Sequence, residues 1–439
     1  MTRFLVATMP AAGHVAPLVP IAYELVARGH SVDWYTGEEY RDTAEATGAT
    51  FHGIVEAHDR DVSQLDAEFP ERAGLNGLAK FKFDMREVFI GAVPGQVADL
   101  EALLPRVRPD VIVAEPGVAA AARVIEQRHG IAWATCNISA FAMRSIDSAP
   151  FGLGLQPRPG RLGRLRNRAL NALVYQTLYR SINRDYHAML ERLGMEAAAG
   201  GLFDEMLSPY LYLQPTVPSF EYPRSDLAPQ VHFVGPLLPP VPAGFTLPAW
   251  WDEMVADPRP VVLVTQGTVA TDPTDVLLPA LEALRHEAVQ VIAVTGGPDP
   301  ASLPAPPNAR VERFVPFAAL MPHVAALVSN GGYGGLHFAL AHGVPLVVAG
   351  ASEEKPELVA RVNWSGVGVG MRTQTPRPIQ LREAVRRVLA EPEYAARAAA
   401  LQAEMARCDG PERAVALLER LGATRAPVVG ATTEAALSG

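Results

Sequence analysis

The strongest constraint on this chain is a set of short apolar runs with no polar residue at alternate positions, such as Phe4–Thr8, Val111–Ala114, Val261–Thr265 and Ala326–Ser329. A strand that is apolar on both faces must be covered on both, which is the habit of parallel sheets packed between helices. Stretches with helical spacing fall between these runs and end at glycine: Leu18–Arg28 before Gly29, and Val118–Arg128 before Gly130. Strand and helix alternating in this way is the βαβ signature of a doubly wound α/β domain.

The pattern occurs twice. The first half adds strands at Val32–Thr36, Ile131–Cys136 and Val231–Val234, with a helix around Leu170–Leu193. The second adds strands at Val289–Thr295 and Val344–Ala349, and helices at Asp275–His286, Gly334–His342 and Pro356–Ser365. A long helical region, Leu381–Met405, is interrupted at Pro392. The proline-rich segment after Val234 reads as a semi-rigid linker. The chain of 439 residues exceeds the roughly 100–200 residues of an ordinary domain. It divides into an α/β domain over 1–235, a linker over 236–250 and a second α/β domain over 251–410. A helix over 411–422, placed to return to the first domain, and a frayed tail over 423–439 complete it.

Composition narrows the partners. Apolar residues make up 49% of the chain and charged residues 19%, enough for sizeable cores. A net charge of −9 argues against nucleic acid or an anionic membrane as partner, but leaves phosphate ligands open because backbone dipoles can bind them. Cys136 and Cys408 support neither a disulfide framework nor a cysteine metal site, and fit a cytoplasmic setting. The apolar run at the N-terminus is too short for a signal peptide. Phe314–Ser352 lacks Asp, Glu, Lys and Arg, yet Pro316, Pro322, Asn330 and a glycine cluster interrupt it. It reads as a buried strand–loop–helix–strand unit, with no stable membrane insertion.

Two loops are suited to phosphate. Asn330-Gly331-Gly332-Tyr333-Gly334-Gly335 follows an apolar strand and opens a helix. A helix N-terminus offers unpaired N–H groups and a partial positive charge, and glycines admit an anion close to the backbone. Gln266-Gly267-Thr268 ends the first strand of the same domain with a hydroxyl and backbone N–H groups. Neither matches a GxGxxG or P-loop pattern. In the first half, His14 sits in the turn after the first strand. By position it is either a polar turn residue or a base available at neutral pH.

The ordered set Phe314-Val315-Pro316-Phe317, Asn330–Gly335, Gly343-Val344-Pro345 and Ser352-Glu353-Glu354-Lys355-Pro356 resembles the nucleotide-sugar signature of family-one glycosyltransferases of the GT-B fold. The closest likeness is to bacterial enzymes that decorate macrolides, glycopeptides and similar natural products, and it extends from Gly13-His14-Val15-Ala16-Pro17 to the C-terminal helices. The resemblance implies two Rossmann-like domains facing across a cleft, an acceptor-binding one first and a nucleotide-sugar-binding one second. It implies Phe314 beside the nucleobase, Val315 reading the base edge through its backbone, and Gly331, Gly332, Tyr333, Gly334 and Gly335 at the diphosphate. Gly267 and Thr268 would meet the distal phosphate, and Glu353 and Glu354 the sugar hydroxyls.

Three positions depart from that pattern. Asn330 stands where the family has a phosphate-binding histidine, and Phe317 and Phe338 stand where UDP-sugar enzymes have a Gln and a Glu that grip the ribose. These changes are compatible with a dTDP-sugar and weaken the case for UDP. The resemblance also makes His14 the general base and Glu115, where relatives carry Asp, its carboxylate partner.

The expected reaction is a single inverting displacement without metal or other cofactor, in which a sugar passes from a nucleotide diphosphate to a hydroxyl of a small apolar acceptor. Phe141, Met143, Phe151, Leu153, Tyr175 and Tyr179 are candidates for the acceptor pocket and equally for core. A GT-B nucleotide-sugar 2-epimerase and a non-catalytic nucleotide-sugar-binding protein are the alternatives.

Overall fold

The computed structural model describes residues 1–60, 64–75, 77–196, 200–242, 244–267 and 272–430. Among them are two wholly parallel sheets. The first contains β1 (Arg3–Ala7), β2 (Ser31–Thr36), β3 (Thr50–Gly53), β4 (Val111–Ala114), β5 (Ala132–Cys136), β6 (Leu211–Gln214) and β7 (Val231–Phe233), in the order β3-β2-β1-β4-β5-β6-β7. The second contains β8 (Val261–Thr265), β9 (Gln290–Val294), β10 (Ala309–Glu312), β11 (Val324–Ser329), β12 (Leu346–Ala349) and β13 (Gly368–Met371), in the order β10-β9-β8-β11-β12-β13. Each order reverses once, between β1 and β4 and between β8 and β11. Connections leave in opposite directions at such a switch point, opening a crevice beyond the carboxyl ends of the strands.

The strands are buried as their sequences require. β4, β5, β8, β9 and β12 have no exposed residue. One core layer joins Phe4, Val6, Leu18, Leu25 and Trp34 on one face of the first sheet, and another joins Leu5, Ile112, Val124 and Trp133 on the other. The charge-free stretch folds as β11, the glycine loop, the helix Tyr333–Ala341 and β12.

Two expectations need correction. The region around Leu170–Leu193 forms two helices, Gly160–Thr177 and Arg180–Arg192. The first starts ten residues before Leu170, at Gly160, and its outward face carries exposed leucines that do not mark a buried stripe. The tail expected to fray from 423 instead stays attached through Gly430. The helix Gly410–Thr424 packs Ala414, Val415, Leu418 and Leu421 into the first domain's core, and the buried Val428 follows them. Val428 N–H donates to Tyr210 O at 2.8 Å and Gly430 N–H to Pro229 O at 3.1 Å. Residues 431–439 lie outside the described residues. The two crossings between domains touch: a Cβ on Gly235 would lie 2.6 Å from Cys408 Cβ, and one on Gly410 would lie 2.3 Å from Pro236 O.

The domains are tied at the helix Lys355–Ser365. Its Arg361 is fully buried and donates to Glu221 Oε2 of the first half from Nε (3.0 Å) and Nη2 (2.7 Å), and to Glu357 Oε2 at 3.1 Å. The carboxylates use their other oxygens on backbone of the first half: Phe141 N–H donates to Glu221 Oε1 at 3.0 Å and Gly154 N–H to Glu357 Oε1 at 2.7 Å. Tyr222 lies under the guanidinium at 4.4 Å. Removing one member of a buried charge cluster strands the others, which costs about 3–5 kcal/mol. Arg361→Ala is therefore expected to lower stability by about that amount in urea or thermal unfolding. A loss under about 1 kcal/mol would show that solvent reaches the cluster.

Candidate functional site

The first half of the site is built at the β1/β4 switch point. β1 ends in Thr8-Met9-Pro10, and one turn of helix, Ala12–Val15, carries His14. β4 ends at Ala114, so Glu115 emerges beside it. His14 Nδ1 and Glu115 Oε2 are 2.8 Å apart. The carboxylate is fully buried and also accepts Met9 N–H at 3.0 Å and Gly117 N–H at 2.8 Å. Gly117 is required here, because a Cβ would lie 2.8 Å from Glu115 Oε1 and 2.4 Å from Met9 Sδ. With Nδ1 donating to the carboxylate, the imidazole presents Nε2 as its basic nitrogen. Burial pulls the His14 pKa down, but the charge and hydrogen bond of Glu115 and the charge of Glu354 outweigh it and raise the pKa above 6.5.

The second half lies at the β8/β11 switch point. Gly267, at φ +80°, ends the described part of the β8 loop, and Thr268 lies outside the described residues. After β11, Gly331 adopts φ +99°, and a Cβ there would come within 3.1 Å of Val348 Cγ1. The helix Tyr333–Ala341 starts at Gly332 with no side chain capping it. A Cβ at Gly332 or Gly334 would meet nothing within 4 Å, so this face of the loop is open. Gly335 instead backs onto the Phe317 ring.

Asn330 is buried, and its amide donates to Gln266 O, linking the two loops. Phe314 is 61% exposed, whereas Val315 is buried, leaving only its backbone available. Phe317 and Phe338 pack edge to face with centroids 5.8 Å apart.

Glu354 couples the second half electrostatically to His14 of the first. Glu353 is exposed and held at φ +54°, a conformation that side-chain-bearing residues rarely adopt. Glu354 is half-buried. Burial and the charge of Glu353 raise its pKa, opposed by Lys355 and by His14 across the cleft.

Lys355 and His337 escaped sequence reasoning, and Tyr333 was expected only as a diphosphate contact. Lys355 is buried, with its Cβ 3.6 Å from where a Gly331 Cβ would stand and its Nζ 2.8 Å from Glu353 Oε2. Its place in an acidic helix start disguised it as a surface charge. Tyr333 is also buried: Gln214 Nε2 donates to its hydroxyl at 2.9 Å, so its side chain serves the domain contact and only its backbone faces the loop. His337 lies 2.8 Å from Thr216 Oγ1, and burial pushes its pKa down to about 4. Nothing in the local sequence marks these long-range partners.

The acceptor candidates divide. Phe141, Met143 and Tyr179 are buried among the side chains of the first domain. Phe141 packs on Tyr212, with the Arg224 guanidinium over its ring, and Tyr179 packs on Tyr175 and Phe203. An aromatic residue beside glycine and proline carries the same sequence signal whether it fills core or cleft, and here the insertion needed its own core. Tyr175 is half-buried beneath Arg144, Phe151 is half-buried against the core shared by the two halves, and Leu153 is half-buried against the first domain's core. Among the described residues, no group of three His, Cys, Asp or Glu side chains could hold a metal ion. One stretch, Gly77–Val107, is long and apolar enough to cross a membrane by length and composition, and its most apolar window is 50% buried in the protein.

Comparison with known proteins agrees with this architecture. Residues 275–421 match the family described as Erythromycin biosynthesis protein CIII-like, C-terminal domain. The chain belongs to the family-one glycosyltransferases of the GT-B fold, among the enzymes of natural-product biosynthesis. It is 48% identical to the 4'-demethylrebeccamycin synthase of Lentzea aerocolonigenes, over 95% of this chain and 99% of that one. It is 31% identical to UDP-glycosyltransferase 2 of Phaeomoniella chlamydospora, over 95% of each chain. The spinosyn rhamnosyltransferase SpnG complexed with thymidine diphosphate shares the fold, with a TM-score of 0.69 at 21% identity, over 95% of this chain and 100% of that one.

The electrostatics of the His14 pair can be tested directly. In Glu115→Gln, the His14 pKa is expected to fall, since burial would then lack its main counterweight. Histidine NMR titration of both proteins measures this, and an unchanged pKa would mean that Glu115 does not set it.

Proposed function

We propose that this glycosyltransferase inverts the anomeric centre in one displacement, moving a sugar from a nucleoside diphosphate to a hydroxyl of a small, largely apolar natural product. The observation that carries the reading is the His14–Glu115 pair at 2.8 Å, electrostatically coupled to Glu354 of the opposite domain. His14 Nε2 takes the acceptor proton while the hydroxyl oxygen attacks the anomeric carbon. Glu115 holds the ring and stabilises the imidazolium that forms. The bond to the diphosphate breaks, and its charge passes to the N–H groups of Gly331–Gly335 at the uncapped helix start. Thr268 is proposed as a further phosphate contact, and Glu353 and Glu354 as acceptors for sugar hydroxyls.

Lys355 is proposed to supply the positive charge that Asn330 lacks. Its stem packs behind Gly331 and its Nζ, 2.8 Å from Glu353 Oε2, would be shared between that carboxylate and the diphosphate, whereas the Asn330 amide is committed to Gln266. The helix dipole and Lys355 together let the reaction run without metal. For the acceptor, Phe151 is the aromatic candidate placed where the domains meet.

The donor is proposed to be a dTDP-sugar or a UDP-sugar, with no advantage for UDP. The Phe317–Phe338 pair offers no polar group to a ribose hydroxyl, so deoxyribose loses nothing there. Relatives point both ways: one is named for UDP, and a structural neighbour is complexed with thymidine diphosphate. Calorimetry without metal is expected to give dTDP an affinity at least equal to that of UDP, and a tenfold preference for UDP would overturn this.

His14→Ala is expected to lower kcat about 10²–10⁴-fold. The neutral imidazole is the active form, so kcat/KM should rise with pH through the raised His14 pKa, placing the acid limb above pH 6.5. His14→Ala should abolish this limb. Survival of the limb and rate in that variant would assign the base elsewhere. Omitting the acceptor separates transfer from epimerisation, because an epimerase would convert the donor alone.

A further inference from the structure

The overall charge of −9 conceals an uneven distribution. Between Asp147 and Asp185 there is no Asp or Glu, but there are seven arginines: Arg158, Arg161, Arg164, Arg166, Arg168, Arg180 and Arg184. Most of this interval is the helix Gly160–Thr177 and its lead-in. Leu162 is 83% exposed, Leu165 63% and Leu173 57%, and Leu155 of the lead-in is exposed as well.

The exposed leucines share one face of the helix. At about 100° per residue, Leu162, Leu165, Ala169, Ala172 and Leu173 fall within an arc of roughly 100°. The buried side chains Asn167 and Val174 lie on the opposite side. Arg161 and Arg168 flank the apolar arc on one edge and Arg166 on the other. Arg161 and Arg168 are exposed, with no ion-pair partner among the described residues. Arg164 is neutralised by Asp147 at 2.8 Å. The Arg166 pKa is lowered by burial and by the charge of Arg158, so the positive groups crowd one another.

We infer that the outward face of Gly160–Thr177 docks on an anionic lipid surface. An outward leucine stripe edged by arginines satisfies both terms of interfacial binding: apolar area that leaves water, and guanidinium groups at headgroup level. Charge complementarity selects an anionic bilayer over a neutral one. The lead-in connects this face to the cleft, because Gly154 N–H donates to Glu357 and Gln156 Nε2 to Ala360 O at 3.4 Å. A bilayer-bound enzyme would therefore hold the half-buried Phe151 segment next to the membrane, where an apolar acceptor partitions. The contact is peripheral and needs no spanning helix.

The test is co-sedimentation of the whole protein with phosphatidylcholine vesicles, with and without phosphatidylglycerol, at low and high salt. Binding is expected only to the anionic vesicles and should weaken with salt. Leu162→Asp/Leu165→Asp should reduce partitioning about tenfold per leucine, and Arg161→Gln/Arg168→Gln roughly fivefold per arginine. All four positions are exposed, so melting temperature and transfer to a water-soluble acceptor should stay at wild-type levels. Absence of binding to anionic vesicles at low salt overturns the proposal. So does equal binding by the leucine variant. A fall in solution mass of that variant without vesicle binding would assign the face to self-association instead.

Discussion

The site depends on a buried charge cluster that takes no part in the proposed chemistry. Arg361 is held by Glu221 and Glu357, whose remaining oxygens are bound by Phe141 and Gly154 N–H groups. All four carboxylate oxygens of the cluster are bound, and satisfied lone pairs are a condition under which a buried ion pair is tolerable. The helix bearing Arg361 opens with Glu353, Glu354 and Lys355. Fixing its middle against the first half therefore aims its start at His14, about two turns away. The same helix thus supplies both the interdomain clamp and the acidic pair of the cleft.

Two switch points create the cleft that this helix closes. In each sheet the central pair of strands ends in a crevice, and in each the polar residues of interest follow those strands: His14 and Glu115 after β1 and β4, Gly267 and Asn330 after β8 and β11. This is a consequence of parallel topology, because neighbouring parallel strands deliver their carboxyl ends to the same edge. Residues 101 positions apart meet at 2.8 Å for that reason alone. Gln214–Tyr333 and Thr216–His337 extend the contact between the halves with neutral hydrogen bonds, burial keeping His337 uncharged.

The uneven charge shows how an average can mislead. A net charge of −9 argues against an anionic membrane if charge is spread evenly, yet an acid-free interval holds seven arginines on and near one helix. Its leucines recur at helical spacing, which ordinarily marks a buried stripe. Their exposure is a tertiary outcome, because Asn167 and Val174 take the inward face.

Much of the fold was legible in the sequence. Unbroken apolar runs identify doubly covered strands, and glycines end the helices between them, so both α/β domains and most of their strands follow from local chemistry. The glycine loop was legible too, because a positive φ at Gly331 and close backbone approach both demand glycine. Tertiary structure alone decided which aromatic residues face inward, as with Phe141 and Tyr179, and which charges are buried, as with Lys355 and Arg361. It also decided that Val428 closes the first domain's core. The physical reason is range. Periodicity and turn chemistry act over a few residues and are written in neighbours. Burial and ion pairing depend on atoms brought together from distant segments, such as the 140 positions between Glu221 and Arg361.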